Sequence, residues 1–434
     1  MPVIFTKEIK NRSEKYLDLD GAGIIYPYVA EKAWNSVYRV EAHLKYHVVF
    51  TALEDAVKEM KRKYPYFFMR LGTHGKKYVL KDGYSSNVIF KDAPLCRPFD
   101  LQGKETLLRV VYSQNTIGVE IFHSITDGHG AQMFFTELLK EYCKNVYSNY
   151  NFSSAEKTPL VFNEKLKDTS DIYHEIYKLG GKNVNRLLSS SYQFPKKSEL
   201  NLTAKSINIS FASLKATAHR YGVSVSVYLC AVQIAAILRT QPVKNKAVRI
   251  SVPVDIRKFF DFDSCRNGAL YFLVSVKPNE IKNFETLIRI VCKQFEENLT
   301  KDNLQNLAYT NVKTAKLKAY TLLPLSMKKA VLKIGYNRFG ENQFTSTLTN
   351  LGVFNLDNSM KEIISDVYFI LGKQKTKPVN LAVTTYESQT RIVVSSVYDS
   401  ARLISAIREI LISDGIESTT EELGLQTIPA SQNI

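Results

Sequence analysis

Cysteine is scarce in this chain of 434 residues, and its spacing excludes several kinds of site. The five cysteines are odd in number, lie far apart and form no Cys-x-x-Cys pair. A disulfide framework, a zinc ribbon and a thioredoxin-type redox site are therefore excluded. Because few, unpaired cysteines are typical of a reducing compartment, we expect a cytoplasmic protein that depends on its apolar core for stability.

Long apolar segments are also missing. Residues 1–20 contain no apolar stretch of the kind that a signal peptide needs. The longest apolar segment, 223–238, is interrupted by Ser224, Ser226 and Gln233 and is too short to cross a bilayer. We therefore expect neither a secretion signal nor a membrane span. With 45% hydrophobic and 23% charged residues, the composition is that of a globular protein.

Acidic residues are outnumbered, since 58 Lys and Arg stand against 42 Asp and Glu, a net charge of +16. This excess fits a nucleic-acid binder, a membrane-surface protein or an enzyme with an anionic substrate. The basic residues form scattered pairs, and no zinc finger, RNP-type aromatic motif or basic-region helix accompanies them. We expect no nucleic-acid partner, and a merely well-solvated basic surface is the simpler alternative.

Strand-like and helix-like segments alternate along the chain, which indicates the α/β class. A polar segment with two prolines over 151–200 marks a junction between two such alternating regions. We predict an N-terminal domain over 1–165, a linker over 166–200 and a C-terminal domain over 201–434. The last domain ends in a polar tail that we expect to fray from about residue 413.

The apolar spacing also predicts individual elements. An N-terminal helix begins at an N-cap Thr51 and ends before Pro65, and Ser224 caps a second helix that is apolar almost all round and therefore buried. Two further helices are predicted over 134–142 and 284–299. Strands are predicted over 35–43, 107–112, 116–122, 247–254, 269–276, 345–353, 367–371, 381–386 and 391–397.

The hexapeptide His-Ser-Ile-Thr-Asp-Gly at 123–128 carries the sharpest chemical signal. It lies where a predicted strand ends and a loop leads into a helix, a usual place for reacting groups. A neutral His123 could take a proton from a hydroxyl, thiol or amine at pH 7. Asp127 could anchor the loop or orient the ring, and Gly128 permits a backbone conformation closed to other residues. The simpler alternative is a bystander histidine on a surface loop.

Other chemistries have less support. The chain has no Gly-x-Ser-x-Gly elbow and no Walker loop. A dinucleotide site is disfavoured because Gly21-Ala22-Gly23 lacks the third glycine and a preceding strand. A metal site made of His123, Asp127 and His129 is an alternative, but these residues lack the His-Glu-x-x-His register. We therefore expect no metal.

The hexapeptide, preceded by Gly-Val-Glu-Ile-Phe, resembles the active-site motif of the chloramphenicol-acetyltransferase-like superfamily, which includes plant BAHD acyltransferases, condensation domains and alcohol acetyltransferases. Three further segments are similar to motifs of the alcohol-acetyltransferase-like bacterial branch and occur in the expected order. They are Asn-Ser-Val-Tyr-Arg-Val at 35–40 with Tyr-Pro-Tyr-Phe at 64–67, Ser-Val-Pro-Val-Asp-Ile-Arg at 251–257 with Arg266-Asn267, and Thr-Ser-Thr-Leu-Thr-Asn-Leu-Gly at 345–352.

Two departures separate this chain from other branches of the superfamily. Phe122 stands where condensation domains usually have a second histidine, and the plant Asp-Phe-Gly-Trp-Gly motif is absent. The resemblance implies two similar α/β domains, with mixed sheets flanked by helices and a tunnel at the domain interface. It also implies acyl-coenzyme A as cosubstrate, an alcohol or amine as acceptor, and a monomer.

The resemblance assigns roles to particular residues. His123 would be the general base for direct acyl transfer without an acyl-enzyme. Asp127 would pair with Arg257 across the domain junction, although it could instead bond only its own loop. Ser346 and Asn350 are the candidate oxyanion donors, although both could merely complete a strand and a turn. A carrier-protein-bound acyl donor and a non-catalytic binding protein stay open as alternatives.

Overall fold

A computed structural model describes residues 16–31, 36–83, 87–149, 169–184, 189–195, 201–316, 322–336, 340–374 and 377–424. Within these residues, helices alternate with strands that form a three-stranded, a five-stranded and a seven-stranded sheet. The five-stranded and seven-stranded sheets contain both parallel and antiparallel pairs. The predicted α/β class, with mixed sheets flanked by helices, is confirmed.

The first half of the chain supplies short strands and two long helices. Its elements are β1 (Tyr16–Asp18), α1 (Tyr26–Val29), β2 (Val37–Leu44), α2 (Phe50–Lys63), β3 (Met69–His74), β4 (Lys77–Asp82), β5 (Ile89–Lys91), β6 (Leu108–Tyr112), β7 (Thr116–Phe122) and α3 (Gly128–Asn149). Most of the apolar side chains of β6 and β7 are buried, because the sheet that holds them is covered.

The second half supplies the larger sheet. Its elements are α4 (Ile172–Lys178), β8 (Thr203–Ser210), α5 (Phe211–Arg220), α6 (Val225–Thr240), β9 (Val248–Asp255), α7 (Arg257–Phe260), β10 (Ala269–Val276), α8 (Phe284–Asn298), α9 (Lys301–Ala315), α10 (Leu325–Gly335), β11 (Ser346–Val353), α11 (Asn358–Ile363), β12 (Ile364–Leu371), β13 (Val379–Tyr386), β14 (Gln389–Ser396), α12 (Ala401–Ser413) and β15 (Ser418–Leu423).

Helix α2 shows how spacing sets the packing. Its buried side chains lie three or four residues apart on the face that packs against α3, as one expects of an amphipathic helix. The helix ends at Lys63, just before Pro65, as predicted. It begins at Phe50, and the N-cap residue is Val49, whose side chain forms no capping hydrogen bond. The predicted N-cap role of Thr51 is therefore wrong, because Thr51 lies inside the first turn.

Helix α6 is the buried helix that the sequence predicts. Ser224 is its N-cap, and the Ser224 hydroxyl accepts a hydrogen bond of 3.3 Å from the Val227 amide. No single helix within the described ranges is long and apolar enough to span a bilayer, although α5 and α6 together, bent by 86°, reach that length and composition.

The sheets join the two halves of the chain. The seven-stranded sheet has the order β10-β9-β11-β13-β14-β8-β15, and the five-stranded sheet has the order β12-β2-β7-β6-β5. Strand β12 belongs to the second half of the sequence but pairs antiparallel with β2 of the first half. The segment 201–434 therefore contributes to both sheets rather than to the larger sheet alone.

Two further expectations concern the polar parts of the chain. Residues 418–423 form β15, which pairs antiparallel with β8, so the expectation that the tail frays from about residue 413 is wrong up to residue 424. Within the predicted linker, α4 packs against α9, and the rings of Tyr177 and Tyr309 stack 5.0 Å apart. The remainder of the predicted junction, 151–168, 185–188 and 196–200, lies outside the described residues.

Candidate active site

The loop from His123 to Asp127 connects β7 to α3 and is held at both of its middle polar residues. The Ser124 hydroxyl donates to the Gly23 carbonyl over 2.8 Å, and the Thr126 hydroxyl donates to the Cys265 carbonyl over 2.6 Å. Both bonds are buried and join segments far apart in the sequence. The loop is therefore fixed from the N-terminal residues on one side and from the second half of the chain on the other.

Two tyrosine hydroxyls form hydrogen bonds with backbone carbonyls of the loop. The Tyr38 hydroxyl donates to the Thr126 carbonyl over 2.8 Å, and the Tyr66 hydroxyl donates to the Ile125 carbonyl over 2.5 Å. Burial raises the pKa of both phenols well above the usual value, so both stay protonated and able to donate. These bonds satisfy carbonyl groups that burial would otherwise leave without partners.

The imidazole of His123 lies between two aromatic rings. The Tyr26 ring stacks on it at a centroid distance of 4.5 Å, and the Tyr38 ring meets it edge-on at 5.2 Å. Burial lowers the pKa of His123, and the nearby Asp127 charge opposes this effect without reversing it. The ring is therefore neutral at pH 7 and has a lone pair with which to accept a proton.

A hydrogen-bonded chain from Asp20 through Asn267 selects the tautomer of His123. The Asn267 side-chain amide donates to the two Asp20 carboxylate oxygens over 3.0 and 3.3 Å. This fixes the amide with its oxygen toward the ring, and Asn267 Oδ1 lies 3.2 Å from His123 Nδ1. Because an amide oxygen only accepts, Nδ1 must carry the proton. The lone pair is then on Nε2.

Asp20 is suited to anchoring this chain. It is fully buried, its carboxylate accepts hydrogen bonds from Ala22, Gly23 and Asn267, and the Arg266 guanidinium lies 3.5 Å away as an ion-pair partner. Burial raises the pKa of Asp20, and the Arg266 guanidinium opposes that rise. Because the groups bonded to it are donors, the carboxylate acts as an acceptor, and this leaves the amide of Asn267 a single orientation.

Asp127 and Arg257 are brought together by the fold. The Arg257 guanidinium lies 3.1 Å from Asp127 Oδ1 and 3.0 Å from Oδ2, and both side chains are buried. The amides of Gly130 and Gly268 also donate to the Asp127 carboxylate, over 2.9 and 2.5 Å. Burial alone would raise the pKa of Asp127, but Arg257 and the amides outweigh it and hold the pKa below the usual value.

Arg257 begins α7, directly after β9, and belongs to the second half of the chain. Its guanidinium also donates to Asp255 over 2.8 Å, to the Ser264 carbonyl over 2.7 Å and to the Arg266 carbonyl. Asp127 therefore faces a guanidinium that is fixed on several sides. The contact ties the start of α3 to the second half of the chain.

The two glycines that follow Asp127 are required for packing. The backbone of Gly128 is not in the left-handed region, so the expected special backbone conformation is wrong. A Cβ on Gly128 would instead lie 2.8 Å from a methyl carbon of Leu351. The constraint at Gly130 is tighter, because a Cβ there would overlap the Thr126 hydroxyl and the Cys265 carbonyl.

The two predicted oxyanion donors lie in different surroundings. The buried Ser346 hydroxyl donates to the Val379 carbonyl over 2.7 Å and accepts from Gln233 over 2.8 Å. Its only proton is thus used in a hydrogen bond inside the seven-stranded sheet.

Asn350 lies on β11, beside the residue that packs against the start of α3. Its neighbour Leu351 contacts Gly128, and its side-chain amide donates to the Ser226 hydroxyl over 3.1 Å. An amide nitrogen carries two protons, so this single bond leaves Asn350 with a second proton to donate. Of the two predicted donors, Asn350 is therefore the one with a side-chain proton left to donate.

Two of the three candidate metal ligands, Asp127 and His129, are placed against other protein groups. Both oxygens of Asp127 accept from protein donors, and His129 Nε2 faces Asp255 at 3.9 Å instead. In the part of the chain that the structure describes, no group of three His, Cys, Asp or Glu side chains is placed to hold a metal ion.

Sequence reasoning missed Asp20 and gave no role to Asn267. Asn267 appeared only within a segment similar to a superfamily motif, and Asp20 lay in a stretch considered only as a possible signal peptide. The local signal at Asp20 is weak, an acidic residue before the turn Gly21-Ala22-Gly23. Their interaction spans 247 residues of sequence, so no local pattern predicts it.

Comparison with known proteins places this arrangement in a structural class. No sequence-family profile and no curated protein sequence matches the chain. Trichothecene 15-O-acetyltransferase from Fusarium sporotrichioides is structurally similar, with a TM-score of 0.61 at 12% identity over 91% of this chain and 94% of that one. TRI101 of the same organism, solved with coenzyme A and T-2, gives 0.62 at 10% identity over 93% and 99%.

A condensation domain is equally similar. The first condensation domain of the calcium-dependent antibiotic synthetase, solved with a substrate analogue, gives a TM-score of 0.61 at 12% identity over 93% of this chain and 97% of that one. These structures cover nearly the whole chain. The chain therefore has the chloramphenicol-acetyltransferase-like fold that the sequence motifs predict. At these identities the likeness concerns the fold, and the chemistry must be argued from the site.

Proposed function

We propose that this protein is an acyltransferase that moves an acyl group, in the first instance acetyl, from coenzyme A to an alcohol or amine. The observation that carries the proposal is the neutral His123, whose Nδ1 proton is held by Asn267 and whose Nε2 lone pair is left to accept a proton. A base of this kind, on a loop fixed on both sides, is what deprotonation of a hydroxyl at neutral pH requires.

The reaction proceeds by direct attack. His123 Nε2 takes the proton of the acceptor hydroxyl as its oxygen bonds to the thioester carbonyl carbon. The tetrahedral intermediate then collapses, the carbon–sulfur bond breaks, and the departing thiolate takes the proton from His123. No acyl-enzyme forms, because the neighbouring Ser124 hydroxyl is buried and bonded to Gly23. The Asn350 amide is our candidate donor to the negatively charged oxygen of the intermediate.

Asp20, Asn267, Asp127 and Arg257 act as positioning residues. Asp20 and Asn267 hold the tautomer and the plane of the imidazole, and the Asp127–Arg257 pair fixes the loop that carries it. None of the four needs to contact the substrate. The net charge of +16 favours a donor that carries phosphate groups, as coenzyme A does.

A carrier-protein-bound acyl donor is the second candidate. Its support is the likeness to condensation domains, one of which was solved with C8-CoA and Leu-SNAC. Phe122 at the position of the usual second histidine favours coenzyme A instead. A protein of this fold that binds without catalysis would have no need of the tautomer control at His123.

The test is release of free thiol from acetyl-coenzyme A in the presence of a panel of alcohols, amines and sugars. Because a positioned general base contributes on the order of a hundredfold to ten-thousandfold, His123→Ala should lose nearly all turnover and remain folded. The control is His47→Ala, which changes an exposed histidine bonded only to neighbouring loop residues. Turnover by His123→Ala at the wild-type rate would show that His123 is not the base.

A further inference from the structure

Helix α10 exposes its apolar face to solvent and buries a lysine, the reverse of what is usual for a surface helix. The side chains of Met327, Val331 and Ile334 are 51%, 50% and 65% exposed, and they lie on one face at four- and three-residue spacing. Lys328, by contrast, points inward and is only 5% exposed. A surface helix normally buries its apolar stripe and exposes its lysines, so this outward stripe requires a partner.

The stripe is a concentration of exposed apolar groups and not a scatter. Leu322, just before α10, is 70% exposed and extends it. Four of the ten large apolar side chains that are exposed within the described residues thus fall within 322–334, and the other six are spread over the rest of the chain. Isolated exposed apolar residues are ordinary, but a cluster on one helix indicates a contact surface.

The sequence around the stripe is rich in positive charge. Residues 303–340 contain seven lysines and arginines and no acidic residue, although Lys333 is paired with Glu31 and Lys77, at the start of β4, with Asp18. The turn between β3 and β4 adds to it, because Lys76 Nζ donates to the Leu322 carbonyl over 3.1 Å and Lys328 Nζ donates to the Lys76 carbonyl over 2.8 Å. Burial lowers the pKa of Lys328, and the charges of Lys76 and Lys77 lower it further. The stripe therefore lies beside cations close enough to repel one another.

This combination selects among possible partners. In a symmetric dimer the same face would meet itself, and the positive charges of both copies would be brought together. Protein interfaces favour tyrosine, tryptophan and arginine at their centres and are depleted of lysine, whereas this stripe is aliphatic and bordered by lysine. Aliphatic side chains on one face with lysines beside them are typical of a helix that lies on an anionic membrane.

We propose that α10 docks this protein on an anionic lipid surface, with Leu322, Met327, Val331 and Ile334 among the acyl chains and the adjacent lysines at the head groups. The lysines suit this position because their methylene stems can lie along apolar surface with the charge at the head groups. Docking does not require a membrane span and does not depend on the proposed chemistry.

The docking face lies one helix away from the histidine. Helix α10 packs against α1, and Lys333 of α10 is paired with Glu31 just beyond α1 at 2.7 Å. Tyr26 of α1 stacks on His123. A docked protein would therefore hold the candidate active site close to the bilayer. If the proposed function holds, this placement favours acceptors or acyl donors that partition into lipid.

The experiment is flotation of the full chain with vesicles. One set is phosphatidylcholine alone, and the other contains about 30% phosphatidylserine, which supplies the negative surface potential. The test variant is the double substitution Val331→Glu and Ile334→Glu. The matched control is Ile412→Glu, which places the same charge on an apolar residue of α12 that is 55% exposed. Ile334→Glu alone replaces the double variant if the latter melts well below wild type.

We expect wild type and Ile412→Glu to float with the anionic vesicles at about 0.1 M salt, and to bind weakly in high salt or to phosphatidylcholine alone. The double variant should bind the anionic vesicles roughly tenfold less. Equal flotation of the double variant, or no flotation of wild type, would overturn the proposal. So would a dimer in light scattering that the double variant dissociates, or an acidic carrier protein that binds this face when vesicles do not.

Discussion

At the scale of single residues, the site separates proton chemistry from architecture. His123 is the only titratable side chain of the loop whose ionisation the proposed reaction uses, and its neutral form follows from burial. Asp127, four residues later, is held ionised by Arg257 and two backbone amides. Two ionisable groups on one short loop thus differ in charge at pH 7, His123 being neutral and Asp127 ionised, because their partners differ.

The role of Asn267 can be tested through the pH dependence of turnover. His123 acts as a base when neutral, so activity should rise with pH through its lowered pKa, below the usual histidine value of about 6.5. The hydrogen bond that His123 Nδ1 donates to the Asn267 side-chain oxygen raises that pKa. Asn267→Ala should therefore move the acidic limb of the kcat profile to lower pH. It should also reduce kcat roughly tenfold, because the tautomer and ring plane are no longer fixed.

Asn303→Ala is the control, because Asn303 bonds only within the α8–α9 connection, away from His123. A merely structural role for Asn267 would lower the melting temperature and leave the position of the acidic limb unchanged. That outcome would remove Asn267 from the catalytic arrangement and leave the assignment of His123 as it is.

The Asp127–Arg257 pair should matter more for stability than for chemistry. Asp127→Ala leaves a buried guanidinium without its carboxylate, which typically costs about 3–5 kcal/mol of unfolding free energy. The native pKa of Asp127 is depressed, so its stabilisation is complete above the unfolded value of about 4 and is lost as pH falls through the native value. The difference in stability between wild type and Asp127→Ala should therefore shrink in acid.

Denaturant unfolding at a series of pH values measures this difference. Asp55→Ala serves as the control, because Asp55 forms an exposed pair with Lys58 whose loss should leave the unfolding free energy nearly unchanged. An Asp127→Ala protein with the unfolding free energy of wild type and only its turnover lost would assign Asp127 to the chemistry instead.

At the scale of secondary-structure elements, the sequence predicts what local patterns can encode. Strands β7 and β10 have the predicted bounds because their apolar residues are bordered by turns, and the Ser224 cap of α6 is a local bond between neighbours. Strand β15 was expected to be a frayed tail because its residues are polar. It is a strand because it forms backbone hydrogen bonds with the edge of β8, a strand that lies more than 200 residues earlier in the sequence.

The candidate site divides in the same way. The hexapeptide predicts the position of His123 on a strand-to-helix loop. The resemblance of the 251–257 segment to a superfamily motif predicts that Arg257 pairs with Asp127. Asp20 could not be predicted, because its function depends on a fold that brings it to Asn267. Ser346 was expected to face the reaction, but its hydroxyl completes hydrogen bonds inside the larger sheet. A hydroxyl in a strand motif looks the same in sequence in either case.

At the scale of the whole molecule, the two halves of the chain are interlocked. Strand β12 leaves the second half to pair with β2 from Ile364 to Leu371, and most of its side chains are buried in the N-terminal core. The Arg266 guanidinium crosses in the other direction, to the Asp18 carbonyl and the Asp20 carboxylate. The His123 loop is bonded to both halves, through Ser124 to Gly23 and through Thr126 to Cys265, so its geometry depends on both halves being folded.

We therefore expect the full chain to unfold as one unit. Without β12, the five-stranded sheet would lose a strand, and apolar residues of β2 such as Val40 and Ala42 would lose part of their cover. Because β12 of the second half is buried in the N-terminal core, scanning calorimetry should show one transition whose calorimetric and van't Hoff enthalpies agree. Phe369→Ala, at a buried β12 position beside Tyr38, should lower the temperature of that single transition, at a cost of about 3–5 kcal/mol.

The control Tyr46→Ala changes an exposed aromatic residue and should leave the transition temperature nearly unchanged. Two separate transitions, of which Phe369→Ala shifts only one, would show instead that the halves fold independently and that the loop is held by docking alone.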